Sequence, residues 1–131
     1  MKRVIDAHAL MAFLEREAGS EKVKEIFLEA FKNSNNLLMS SVNFGEVYYI
    51  VLREYGNKKA QEIVRSIEEL PIDIVSIDKE IAQIAGNIKA FKKMSYADSF
   101  AAALAKFYKA SILTGDPEFK EVEKEITIEW I

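Results

Sequence analysis

Short apolar runs recur along the chain, each set between longer stretches whose apolar residues fall at helical spacing. That alternation limits the fold more than any other feature. Arg3-Val4-Ile5, Leu37-Leu38-Met39, Ile72-Asp73-Ile74-Val75, Ser111-Ile112-Leu113-Thr114 and the stretch from Ile126 to Trp130 read as strands. Between them, helical spacing predicts a first helix from Ala7 to Arg16 and a second capped by Ser20, with Val23, Phe27, Ala30 and Phe31 on one face. A third helix starts at Ser40 or Ser41 and runs to Tyr55, where Gly56-Asn57 stops it, and a fourth runs from Lys58 to Leu70. Asp78 caps a helix from Lys79 to Lys92, in which Gly86 suggests a close helix contact. Ser95 caps another from Tyr96 to Tyr108, and Pro117 to Val122 forms a short one. Strands alternating with helices predict an α/β domain around a mainly parallel sheet, and 131 residues leave room for one such domain, spanning 1–131.

Composition removes several chemistries. The chain has no Cys, which excludes a thiolate nucleophile, a disulfide scaffold and Cys-ligated metal sites. One His excludes a multi-His zinc site. The N-terminal segment is broken by Asp6, His8 and Glu15 before it can form a signal-peptide core, and no run approaches the roughly 18 apolar residues of a membrane span. The expectation is a cytoplasmic protein with no membrane partner.

What remains is carboxylate chemistry. Asp6 directly follows the first strand, and Asp116 follows the strand ending at Thr114 after a single Gly. Carboxyl ends of parallel strands share one rim, where ligands bind, so these two acids are expected to face one crevice. Each is also a suitable helix N-cap. Asp98 sits inside SYADSFAAALA, where the Ala-rich surface implies packing on most sides and an unpaired buried carboxylate is costly. Its place in the first helical turn is also favoured by the helix dipole. Glu46 lies in SSVNFGEVYYIVL, a helix with no other charge before Arg53, and Asn43 shares its face three residues earlier. A solvated helix face is the alternative for Glu46. Four converging acids would raise one another's pKa values, and oxygen-only ligands suit Mg²⁺ or Mn²⁺. Such ions can activate a water and stabilise charge on a phosphodiester in transit, with no His required as base.

The segments VIDAHAL, SSVNFGEVYYIV, SYADSFAAALA and ILTGDPEF, in this order and spacing, resemble the PIN-domain ribonucleases and most closely the VapC-like toxins of prokaryotic toxin–antitoxin pairs. The resemblance covers essentially the whole chain and implies a three-layer α/β/α PIN fold. By position it places the four family acids on Asp6, Glu46, Asp98 and Asp116, with the accompanying Asn on Asn43. It places on Thr114 the hydroxyl residue that can hydrogen-bond a carboxylate or a water on the metal. It further implies Mg²⁺- or Mn²⁺-dependent endonucleolytic cleavage of RNA, homodimerisation and neutralisation by a cognate antitoxin. One departure stands out: family members often carry Ser, Thr or Asn two residues after the first acid, and here that residue is His8. Two roles stay open for it, contact with substrate or a neighbouring carboxylate, and an ordinary helix-start histidine with no metal role.

Charge is unevenly spread. The formal net charge is −3, yet setting aside the four proposed ligands leaves 18 basic against 17 acidic residues. Lys89, Lys92 and Lys93 form a basic flank ahead of Asp98 that can hold RNA phosphates, although Lys at a helix C-terminus is also favoured by the dipole. Apolar residues on the third and fourth helices suit either the core or a dimer interface. Two other readings compete with a toxin: a PIN-type RNA-processing nuclease without antitoxin, and a non-catalytic PIN-like interaction module. Retention of all four acids weighs against the second of these.

Overall fold

The computed structural model describes residues 1–131. Five strands, β1 (Arg3–Ile5), β2 (Leu37–Ser40), β3 (Ile72–Val75), β4 (Ser111–Thr114) and β5 (Ile128–Trp130), form one sheet in the order β3-β2-β1-β4-β5. Every pairing is parallel, with Val4 opposite both Leu38 and Ile112. Six helices supply the crossovers: α1 (Ala7–Leu14), α2 (Ser20–Lys32), α3 (Ser41–Tyr55), α4 (Asn57–Glu68), α5 (Lys79–Phe91) and α6 (Tyr96–Tyr108). A 3-10 helix at Pro117–Val122 links β4 to β5.

Strand side chains alternate between the two faces, and each face has its own core. Ile5, Leu37, Met39 and Leu113 point to the side covered by α1 to α4, while Val4, Leu38 and Ile112 point to α5 and α6. Both faces are covered, which is why the central strands read as continuous apolar runs rather than as alternating ones. The alanines of α6 explain how it fits. Ala101, Ala102, Ala103 and Ala105 are all buried, so this helix packs closely on several sides at once. Leu104, fully buried among them, is the bulky exception, and truncating such a side chain costs about 2–5 kcal/mol.

Several local expectations need correction. Gly19, not Ser20, is the N-cap of α2; its φ of 91° is left-handed, and a Cβ there would lie 2.8 Å from Ile131 Cδ1, so both conformation and space call for glycine. Phe31 is exposed, and Ile26 takes the inward position of α2, because the buried stripe runs Val23, Ile26, Phe27, Ala30. Gly86 meets nothing within 4 Å of where a Cβ would sit, so no close helix contact depends on it. The last strand begins at Ile128, while Ile126 turns inward to the α5–α6 core.

A candidate metal centre at the carboxyl rim of the sheet

The chain runs outward from β1 through β2 to β3, then returns to place β4 on the other side of β1. Between β1 and β4 the strand order therefore reverses, and the loops leaving their carboxyl ends separate to form a crevice. Asp6 and Asp116 are the residues that leave those two strands. Each caps the element that follows: Asp6 Oδ1 accepts from Ala9 N–H at 2.8 Å, and Asp116 Oδ1 accepts from Glu118 N–H at 2.9 Å. The helix-cap reading of these acids thus holds, and it fixes their carboxylates at the rim.

Thr114 ties the pair together. Its hydroxyl donates to Asp6 Oδ2 and accepts from Asp116 N–H at 3.0 Å. From the opposite side, α3 and α6 bring in Glu46 and Asp98. Asn43 is fully buried and donates from Nδ2 to the Ala97 carbonyl at 3.0 Å and to Glu46 Oε1 at 3.5 Å, while Ser40 Oγ donates to its Oδ1 at 2.6 Å. This side-chain chain runs from the end of β2 to the first turn of α6, one residue before Asp98. Ser95 Oγ in turn caps α6 by accepting from Asp98 N–H at 3.1 Å.

Glu46, Asp98 and Asp116 line one small cleft of about 160 Å³ together with Ala7, His8, Met11 and Ile50. Asp6 is fully buried and does not line it. The sequence reading missed a further acid, Glu118. Carboxylate oxygens of Asp98, Asp116 and Glu118 all lie within 4.8 Å of one another. Glu118 Oε1 also accepts from Ser95 N–H at 2.6 Å, so it joins the 3-10 helix to the start of α6. Its only sequence signal is its place two residues after Asp116 in ILTGDPEF.

Burial and mutual repulsion set the electrostatics. Asp6 is pushed up to about 7, chiefly by desolvation; its hydrogen bonds from Thr114 and Ala9 pull it back, and Asp116 and Glu46 add to the rise. Asp98 is pushed up to about 8, again chiefly by burial and then by Asp116, Asp6, Glu118 and Glu46. Glu46 is raised by burial and by Asp116 and Glu118, against the hydrogen bond from Asn43. None of the five ion pairs in the protein involves any of these acids. A cluster of partly buried carboxylates with no protein cation among them, offering oxygen donors alone, fits a hard divalent cation.

The proposed basic flank is more mixed. Lys92 pairs with Glu125 at 3.3 Å, and Lys93 N–H donates to Glu121 Oε1 at 2.9 Å, so the acidic C-terminal segment covers part of it. Lys89 and the Lys93 side chain are exposed and make none of the ion pairs.

Fold and site together define a doubly wound parallel α/β domain with an acidic, oxygen-donor cluster at its topological switch point. The chain belongs to the PIN domain family, whose profile matches residues 3–125. Membership places it in the nuclease class that the sequence resemblance implied. No curated protein matches it significantly in sequence. Solved structures share its fold at low identity. VapBC2 from Rickettsia felis, bound to a DNA fragment from its promoter, is 16% identical with a TM-score of 0.78, covering 100% of this chain and 99% of that one. DNA-bound VapBC from Salmonella typhimurium is 18% identical with a TM-score of 0.77, covering 98% and 97%. VapC20 from Mycobacterium tuberculosis, described as a toxin that cleaves the sarcin–ricin loop, is 13% identical with a TM-score of 0.69, covering 91% and 93%.

Proposed function

We propose that this chain is a Mg²⁺- or Mn²⁺-dependent endoribonuclease of the VapC type, a cytoplasmic toxin built as one PIN domain over residues 1–131 and neutralised by a cognate antitoxin. The observation that carries the reading is that Glu46, Asp98 and Asp116, from distant segments, line one cleft, with Asp6 near enough to raise Asp98 and no protein cation among the four. A binding module gains nothing from that arrangement, because uncompensated buried carboxylates cost stability. The antitoxin is supported by the similarity to VapBC complexes, and the RNA substrate by the similarity to a toxin that cuts the sarcin–ricin loop.

In this reading Asp6, Glu46, Asp98 and Asp116 hold the cation, with Glu118 as an additional candidate. When bound, such a cation neutralises charge on the scissile phosphate and lowers the pKa of a coordinated water. The chain's own residues prepare the place. Thr114 and Ala9 N–H orient the two oxygens of Asp6, and Asn43 holds Glu46 toward Asp98 across the α3–α6 junction. Burial of Asp6 and Asp98 excludes bulk water from the donor oxygens, which strengthens their pull on a cation. Lys89 and Lys93 supply positive charge for RNA phosphates, with Lys92 shared with Glu125.

A homodimer is supported by the exposed face of α3, where Tyr49, Leu52 and Tyr55 stand at intervals of three residues and Arg53 lies over the Tyr49 ring. The test is induced expression of wild type and Asp98→Asn in a bacterial host, with growth and cellular RNA ends followed in parallel. The reading expects growth arrest and new, discrete RNA ends with wild type alone. Equal arrest and equal cleavage with Asp98→Asn would refute it. A short adjacent gene for a DNA-binding protein whose co-expression restores growth would support the toxin over a processing nuclease.

A further inference from the structure

We propose that His8 contacts the substrate directly, its imidazole N–H donating to a phosphate oxygen of the RNA strand beside the carboxylate cluster. The proposal rests on the nuclease reading and deepens it. Of the residues lining the cleft, Ala7, Met11 and Ile50 are apolar and Glu46, Asp98 and Asp116 are acidic; His8 alone carries a side-chain nitrogen donor. An RNA strand brings a negative charge per nucleotide toward these acids. A cation between the carboxylates offsets that charge at its own position, but a neighbouring phosphate meets the same acids without compensation unless a donor stands at the rim.

His8 is placed for that task. The residue is exposed, and its ring takes part in none of the hydrogen bonds that tie the cluster together, so both nitrogens are available. Its position is nonetheless defined. A Cβ on Gly115 would lie 2.6 Å from His8 Cε1 and 3.0 Å from Nδ1, so the ring rests against the backbone one residue before Asp116. Gly115 is not among the residues with positive φ, and the space a Cβ would take there is filled by the His8 ring and by Ile131 Cγ1 at 3.0 Å.

The test compares wild type with His8→Phe, which keeps a ring against Gly115 without a donor, and with His8→Gln, which keeps a donor. The probe is a pool of short, randomised, fluorescein-labelled oligoribonucleotides at saturating Mg²⁺ or Mn²⁺. His8→Phe is expected to raise the half-saturating RNA concentration about tenfold at a nearly unchanged maximal rate, and His8→Gln to stay within about threefold of wild type. Should His8→Phe fail to fold, His8→Ala replaces it with the same expectation. Wild-type half-saturation in the donor-less variant overturns the proposal, and equal losses in both variants do so by marking a packing role. A wild-type chain that cuts no RNA removes the nuclease reading and this contact with it, an outcome distinct from wild-type cleavage that ignores His8.

Discussion

Thr114, the last residue of β4, donates its hydroxyl proton to Asp6, the first residue after β1, although 108 positions separate them. The parallel pairing of Ile5 with Leu113 makes the contact possible, since it sets the two strand ends level. Because the same oxygen accepts from Asp116 N–H, one hydroxyl fixes both acids at the switch point.

Replacing Thr114 by Val keeps the shape and removes the hydroxyl. Partners that orient a metal-binding carboxylate commonly contribute roughly 10–100-fold in affinity. Calorimetric titration of Mn²⁺ is expected to show a loss in that range for Thr114→Val and near-normal binding for Thr114→Ser. Equal Mn²⁺ affinity in wild type and Thr114→Val would remove this hydroxyl from the account.

The raised acids give the metal-free protein a particular pH response. Asp6, at about 7, and Asp98, at about 8, sit above their ordinary value of 3.8, so the folded state binds protons more tightly than the unfolded state. Their contribution to stability is full below pH ~4 and is lost as pH rises through about 7 to 8. A divalent cation opposes the loss by pairing with the ionised forms. Thermal melts in chelator from pH 5 to 8 should therefore fall in Tm toward the alkaline end, with added Mn²⁺ raising Tm most at pH 8. A cation effect that is independent of pH would count against this assignment.

Asp98→Asn separates stability from function. The amide removes a buried like charge facing Asp116 and Asp6, so at pH 8 without metal the variant is expected to melt a few degrees higher, on the scale of about 1 kcal/mol. The same change should abolish the Tm gain from Mn²⁺ and the cleavage of RNA. Differential scanning calorimetry with and without Mn²⁺ checks both signs, and a variant less stable than wild type in chelator would contradict the repulsion.

Asn43 acts through the packing of two helices. Its truncation to Ala takes the side-chain donor from the half-buried Ala97 carbonyl and frees Glu46 from its tether. Urea denaturation is expected to show a loss of about 1–3 kcal/mol. Cleavage should fall further than stability alone explains, because Glu46 loses its fixed position. A folded Asn43→Ala protein with full activity would show that Glu46 positions itself.

Much of this site is legible before any coordinates. Asp6 and Asp116 stand at strand ends, and an acid at the carboxyl end of a parallel strand has few places to go. Asp98 announces itself by sitting among alanines that leave no solvent face. Glu118 was hidden for a physical reason: a Glu in a short acidic stretch reads as solvent-facing, and only the fold of the 3-10 helix against Ser95 carries it to Asp98. On α2, helical spacing alone admits both Ile26 and Phe31 beside Val23, Phe27 and Ala30, and packing turns Ile26 inward and leaves Phe31 exposed. The Lys92–Glu125 pair joins distant parts of the chain, and local charge counts are blind to it.

In the proposed reaction the four acids act together through a divalent cation to cut RNA. The most direct measurement is cleavage of total cellular RNA by the purified chain, titrated with Mg²⁺ and Mn²⁺ after exhaustive chelation, with Asp6→Asn and Asp98→Asn alongside. The expected result is no cleavage in chelator, saturable recovery with either cation, and no recovery in the two variants although both stay folded. Undiminished cleavage in chelator, or by folded Asp6→Asn protein, would contradict it.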